Sequence, residues 1–297
     1  MDWDNLRYFL DLSRAGKLTV AARRLGVDHT TVARRVHALE KSLGQPLFIR
    51  SGAGYGLTEA GRRLLSQVEA MESSYLSIER DEGEGGAEGV CGLVRIGATE
   101  GYGVALLAGQ LAALSKRHPN LNIDLLAVPR MVRLARNEAD IVITLERPER
   151  GPYIITKLTD YTLRLYASTD YLDTHPLIHG RDDLRDHTFV SYIEDLLYSK
   201  ELHYLDEIGK PGKIALRSTS IMAQQNAAIA GLGIAILPSF SARKEPQLKE
   251  ILAEQIEFVR TFWMLMPTEG KDLARIRVTW DFLREMAQLN QDLMMGR

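Results

Sequence analysis

The chain has little cysteine: Cys91 is the only one in 297 residues. An intrachain disulfide framework is therefore excluded, and the composition fits a reducing cytosol. With no second thiol to resolve it, a redox role for Cys91 is less expected than a small packed side chain. No apolar run approaches the roughly 20 residues that span a bilayer. The opening MDWDNLR is acidic and lacks the basic-then-apolar profile of a signal peptide, so a cytoplasmic location with no membrane association is expected. There is no Gly-x-Ser-x-Gly elbow, no Gly-Lys-Ser/Thr phosphate loop and no Cys-x-x-Cys pair. Gly231-x-Gly233 precedes a strand pattern instead of following one, which excludes a dinucleotide fingerprint. His175 and His179 are four apart, but Pro176 between them argues for loop residues and not for a metal-binding helix face. No catalytic residue, metal or cofactor is expected.

What is present is globular material, 45% hydrophobic and 26% charged, long enough for about two domains. The charge is unevenly placed. Residues 1–63 hold 11 Lys/Arg against 6 Asp/Glu, and the remainder holds 26 against 33. A basic head on an acidic body is the footprint expected of a nucleic-acid reader with a separate second domain.

Within the head, TVAARRLGVDHTTVARRVHA (19–38) has the pattern of two helices joined by a tight turn. The first carries Val20, Ala21 and Leu25 on one face. Gly26 suits a left-handed helix end, and Asp28 suits an N-cap. The second helix turns Val32, Val36 and Leu39 inward and leaves Thr30, Thr31, Arg34 and Arg35 outside, before Gly44 and Pro46 stop it. Such a helix-turn-helix fits its second helix into the DNA major groove. An ordinary helical hairpin with a polar face has the same local pattern. Arg50, followed by the glycine-rich SGAGYG (51–56), adds the pattern of a basic wing against the phosphate backbone. His29, Thr30, Thr31, Arg34 and Arg35 are thus candidate base and phosphate contacts, with Arg34 suited to a bidentate guanine contact and Arg50 to a wing phosphate. Ion pairs with Glu40 or Glu59 are the competing assignment for these arginines.

Leu64, Val68, Met71, Tyr75 and Ile78 then follow spacings of 4, 3, 4 and 3, a heptad seam expected to dimerise the chain. Packing of that stripe on its own domain is the alternative. The run Asp81-Glu82-Gly83-Glu84-Gly85-Gly86 reads as a hinge. From Gly92 the pattern alternates strands and helices, which predicts mainly parallel α/β layers. Strands are expected at Leu93–Ile96, Leu121–Val128, Asp140–Leu145, Leu163–Ala167, Phe189–Tyr192, Lys213–Arg217, Gly233–Leu237 and Phe262–Met266. Helices are expected over Tyr102–Lys116, Met131–Asn137, Thr219–Ala230 and Asp272–Met294. Thr99 opens a helix directly after a strand, and Ser218, Thr219 and Ser220 open another, so their free amides offer an anion seat or plain capping. Glu100 suits its helix dipole, yet in a pocket it would disfavour an anion and favour an amine or several hydroxyls. Arg130 could offset it or lie at the surface.

Together, Leu6-Arg7-Tyr8-Phe9, Ala21-Ala22, Leu25, Leu39-Glu40, Leu43-Gly44, Leu47-Phe48-Ile49-Arg50 and Leu57-Thr58-Glu59-Ala60-Gly61 resemble the LysR-type transcriptional regulators. The resemblance continues more weakly through Ala139-Asp140-Ile141-Val142-Ile143 and Gly231-Leu232-Gly233-Ile234-Ala235-Ile236-Leu237-Pro238. It implies a winged helix-turn-helix head at 1–61, a coiled-coil linker helix at 62–82, a hinge at 83–91 and an effector-binding domain at 92–297. That last domain would be similar to a periplasmic binding protein, with lobe I at 92–157 and 263–297 and lobe II at 158–262. The resemblance implies a two-fold operator in double-stranded DNA, a small-molecule effector between the lobes contacted by Thr99, Glu100, Arg130, Ser218 and Thr219, and a homodimer pairing into a tetramer; RNA polymerase stays open as a further partner. Asp28-His29 stands where the family often has Ser-Gln, which keeps the cap but alters the base reader. A small-molecule binding protein whose head serves only dimerisation is the alternative of a different class.

Overall fold

The computed structural model describes residues 3–51, 54–65, 67–68, 71–72, 90–132, 134, 138–149, 151–208 and 212–297. The chain divides into two compact units, 1–87 and 88–297. In the first, α1 (Trp3–Ala15), α2 (Leu18–Leu25) and α3 (His29–Leu43) precede an antiparallel hairpin of β1 (Phe48–Ser51) and β2 (Gly54–Leu57). Helix α2 ends at Gly26 and α3 at Gly44, both left-handed at φ 68°, a conformation that costs a Cβ-bearing residue more. Leu12, Ala21, Ala22, Val32 and Val36 form one buried cluster, and Leu6, Phe9, Leu10, Leu39, Leu47 and Val68 another. These are the apolar stripes of three amphipathic helices meeting face to face.

The second cluster changes the reading of the linker stripe. Residues 59–65, 67–68 and 71–72 are helical. Val68 is buried in the head's own core, and Leu64 and Met71 pack against it. Arg14 reaches across to hold Glu72 with both guanidinium nitrogens, at 2.6 and 3.1 Å. The expected seam is therefore partly used within one chain, because its first residues lie beside the apolar face of α1. Tyr75 and Ile78 lie outside the described residues.

In the second unit, strands form one sheet in the order β4-β3-β5-β11-β6-β9-β7-β8, with β10 paired to β6. They are β3 (Gly92–Thr99), β4 (Leu121–Val128), β5 (Ile141–Thr144), β6 (Tyr153–Ser168), β7 (Thr188–Ser191), β8 (Lys213–Arg217), β9 (Ile234–Pro238), β10 (Leu248–Ile251) and β11 (Phe258–Pro267). Pairing is parallel where helices cross over, β3 with β4 and β5, and β7 with β8 and β9. It is antiparallel wherever β6 or β11 takes part. The expectation of mainly parallel layers is corrected to a mixed sheet: these two long strands run through both halves in opposite directions. Between Phe262 and Trp263 their register slips. Phe262 stacks on Tyr161 at 4.2 Å there, with Tyr102 and Phe240 beside them. An aromatic knot thus sits where the sheet passes from one half to the other.

The helical segments Glu100–Tyr102, Gly103–Leu107 and Ala108–Arg117 run on as one helix, α4, whose middle segment is π-helical. Helix α5 (Thr169–Thr174), α6 (Leu205–Ile208), α7 (Ile221–Ile229), α8 (Ser239–Ala242), α9 (Ala274–Leu289) and α10 (Gln291–Met294) complete the unit. Of the short helix expected over Met131–Asn137, Met131 and Val132 are not helical, Leu134 lies in a 3-10 turn, and the rest falls outside the described residues.

Candidate DNA interface and effector cleft

Asp28 accepts from the Thr30 amide at 2.8 Å and from the Thr30 hydroxyl at 2.5 Å. These two bonds, the hydroxyl's first, hold the Asp28 carboxyl below its ordinary range. The Thr30 hydroxyl proton is thereby engaged in the cap and not offered outward. His29 stands exposed with Nδ1 3.4 Å from the same carboxylate. Thr31 is half-buried, and Arg34 is exposed. The two arginines of α3 differ sharply. Arg35 turns back on α1, with Nη1 3.4 Å from Asn5 Oδ1, Nη2 3.5 Å from Asp4 and its guanidinium 5.7 Å over the Tyr8 ring. Arg34 has no ion pair or hydrogen bond among the described residues.

The wing is fastened to α3 by a residue that sequence reasoning offered only as an ion-pair partner. Glu40 Oε1 accepts from the Leu47 amide at 2.7 Å and the Phe48 amide at 3.1 Å. On the other side the Tyr55 amide donates to the Gly16 carbonyl at 2.8 Å. Arg50 faces Tyr55 in the hairpin register and is exposed, without a partner among the described residues. Glu59 pairs with Arg63 at 3.1 Å. Neither acidic residue therefore neutralises Arg34 or Arg50.

In the second unit, the expected cleft residues are only partly brought together. Thr99 ends β3 and is nearly buried. Glu100, one residue on, reaches the start of α7: its Oε1 accepts from the Ser220 hydroxyl at 2.9 Å and its Oε2 from the Ile221 amide at 3.0 Å. Gly101 makes this approach close, since a Cβ there would lie 2.9 Å from Ile221 Cγ2. Of the three residues expected to open α7, Ser220 is its N-cap, accepting from the Ala223 amide at 3.0 Å. Ser218 instead accepts from the Ser220 amide at 3.1 Å, shaping the turn, and Thr219 is half-buried within it. Arg130 is corrected to a surface residue. It bonds Glu138, a carboxylate eight residues on, at 2.9 Å and the Met131 carbonyl at 3.1 Å.

Between the sheet halves lies a cavity of about 30 Å³, lined by Thr99, Gly101, Tyr102, Tyr161, Tyr192, Tyr198, Tyr204, Ile221 and Phe262 among others. Its tyrosines went unnoticed in the sequence, where each looked like an ordinary strand or loop aromatic. The Tyr102 hydroxyl is buried without a hydrogen-bond partner, and burial pushes its pKa up. Burial and then the Glu100 charge push Tyr198 up to about 12, and Tyr192 rises well above 10.0 through burial first. The segment carrying Tyr198 and Tyr204 is held from outside. The Lys200 amide donates to Glu146 at 3.0 Å, and Arg260 bonds Glu207 at 2.6 Å while lying 5.5 Å over the Tyr204 ring.

Among the described residues no helix is long and apolar enough to cross a membrane. The sequence profile of the lysR-family bacterial regulatory helix-turn-helix matches residues 3–62, and that of the LysR substrate binding domain matches residues 87–288. The Mau operon transcriptional activator of Paracoccus denitrificans is 27% identical over 286 residues, 94% of this chain and 95% of that protein. The structure of CrgA, a LysR-type transcriptional regulator from Neisseria meningitidis, superposes with a TM-score of 0.59 at 24% identity, covering 97% of this chain and 99% of that one. Full-length OxyR from Pseudomonas aeruginosa gives 0.65 at 19% identity, covering 97% and 98%, a likeness of fold alone. Both profiles together span nearly the whole chain, in the order that the helix-turn-helix and the mixed α/β unit take in the structure. The chain belongs to the LysR-type transcriptional regulators: it is a DNA-binding regulator of transcription with an effector-binding domain, and not an enzyme.

Proposed function

We propose that α3 enters the major groove with Arg34 reading a base edge, and that Arg50 lies along the phosphate backbone from the wing. The observation that carries this is the contrast between the two arginines of α3: one is held by α1, the other is exposed and unpaired among the described residues. His29 and Thr31 flank Arg34 toward the start of α3 and serve as secondary contacts. Thr30 and Arg35 act at one remove, by capping α3 and by fixing it to α1. A bidentate Arg–guanine contact is worth about 1–3 kcal/mol of discrimination, whereas a phosphate contact adds affinity without sequence preference. Gel shifts on a selected operator and on random DNA, across a range of salt concentrations, test the assignment. Arg34→Ala should narrow the difference between the two DNAs by about 1–3 kcal/mol, and Arg50→Ala should weaken both.

The remaining functional reading follows the same division. Residues 1–61 are the head, 62–82 the linker, 83–91 the hinge and 92–297 the effector domain, with lobes exchanging at 157–158 and 262–263. Two heads are joined by the linker helix, chiefly through Tyr75 and Ile78, so that a two-fold operator is read by a homodimer; a tetramer forms through the effector domains. The effector binds between the lobes beside Thr99 and the start of α7, and RNA polymerase is the partner through which the regulator acts in the cytoplasm. A ligand shifts such a protein only by its differential affinity for two arrangements of the lobes.

A further inference from the structure

A helix start that points into a cleft attracts an anion, because its first amides lack partners and the peptide dipoles add there. Helix α7 begins beside the cavity between the sheet halves, and its first amide is already taken. The group that takes it is the Glu100 carboxylate, supplied by the opposite half of the sheet, 121 residues away in sequence. The same carboxylate accepts from the Ser220 hydroxyl, so both of its oxygens are bonded to one helix start. Two further contacts cross between the halves, Glu146 with the Lys200 amide and Lys244 Nζ with the Ala105 carbonyl at 2.7 Å. The cavity beside it is small, about 30 Å³, space on the scale of one or two waters. Tyr102 lines it, and the Tyr102 hydroxyl is buried without a hydrogen-bond partner.

We propose that Glu100 is a tethered ligand: it occupies the anion seat at the start of α7, holds the cleft shut, and excludes simple carboxylates, so that the effectors of this protein are uncharged or cationic molecules. The inference rests on the reading of the cleft as the effector site. Its physical basis is competition. A group fixed on α4 acts at an effective concentration on the order of millimolar or above, and a free carboxylate must displace it while also meeting its charge. An alcohol or an amine meets no such rival. If cationic, it can pair with Glu100 itself.

The test uses the full-length protein and acetate as the probe, with chloride at matched ionic strength as the control. Glu100→Ala vacates the seat and leaves room for a free carboxylate. Calorimetric titration should show saturable acetate binding to Glu100→Ala at least about tenfold tighter than to the wild type, with a matching rise in its thermal midpoint. Equal acetate affinity in both proteins, or none in the variant, would overturn the proposal. Glu100→Ser is read by the same criterion should the alanine variant not fold. The wild type gives an independent reading: the Ile221 amide should be protected from hydrogen exchange, and acetate should leave that protection unchanged. Fast exchange there, or protection gained with acetate, contradicts the tether. Operator binding by the same samples reports separately on the regulator's proposed DNA contacts, so failure of either conclusion is distinguishable.

Discussion

Glu40 is the joint between the recognition helix and the wing, and its removal gives the sharpest energetic test of the head. Its Oε1 receives two amides, Leu47 at 2.7 Å and Phe48 at 3.1 Å. The side chain is 22% exposed, so water reaches one side of it, but Leu47 is fully buried. In Glu40→Ala the Leu47 amide is left dry, a penalty of about 1–3 kcal/mol, while the half-buried Phe48 amide regains water at a loss of less than about 1 kcal/mol. The sum is about 1–4 kcal/mol for opening the segment between α3 and β1. Since 1.4 kcal/mol is tenfold, amide exchange over residues 45–50 should accelerate roughly 5- to 700-fold. Glu40→Gln keeps an acceptor oxygen and loses only the charge, so its acceleration should be about tenfold or less. Exchange followed by mass spectrometry in the full chain reads this segment without assuming that two domains melt as one. If Ala and Gln behaved alike, or if neither altered exchange at 45–50, the assignment of Glu40 as the joint would be refuted.

Three further outcomes follow from the same geometry. Arg34→Ala should cost about 1–3 kcal/mol on the operator and almost nothing on random DNA, while Arg50→Ala should lower the salt slope by about one counterion; quantitative gel shifts at several salt concentrations check both. His187 is buried, and burial followed by the nearby His175 holds its pKa below 6.5; the Tyr171 hydroxyl, which accepts from the Thr188 amide, is hydrogen-bonded with its Nδ1 at 3.2 Å. The unfolded chain therefore takes up the proton first, so stability is constant above about pH 6.5 and falls as the pH drops from there through the folded pKa; thermal midpoints should show a shallower acid slope in His187→Phe, and equal slopes would reject this. Replacing Tyr75 and Ile78 together by Lys should shift sedimentation from the tetramer to the dimer held by the effector domains, since Leu64, Val68 and Met71 are already engaged by their own head.

The parts of the fold legible in the sequence were those governed by near neighbours. Gly26, Asp28 and Gly44 act within a turn of their own positions, and each took the expected role. Strand β6 was expected only at Leu163–Ala167 but runs over Tyr153–Ser168. Its first half, with Lys157 and Asp160, is polar where it leaves the core, so hydrophobic alternation alone did not mark it. Strand β10 is four residues, LKEI, and gains its identity from pairing with β6. The site was legible in its residue types and not in its partners. Arg34 and Arg35 are adjacent and chemically equal, and only the position of Asp4 and Asn5 on α1 separates them. Glu100 was visible as a helix-start residue, but the helix it caps begins 121 residues on. Arg130 was placed in the cleft by its strand end and lost to Glu138, a short-range competitor. Long-range pairing is decided by topology, which a one-dimensional pattern does not contain.

The central claim is that this protein reads specific DNA through the exposed face of α3. The most direct measurement is sequencing of genomic fragments retained by the purified full-length protein, with Arg34→Ala in parallel. An enriched motif with two-fold symmetry is expected for the wild type, and loss of preference at one base pair of each half-site in the variant. Fragments without a common motif, or an unchanged motif in Arg34→Ala, would contradict it.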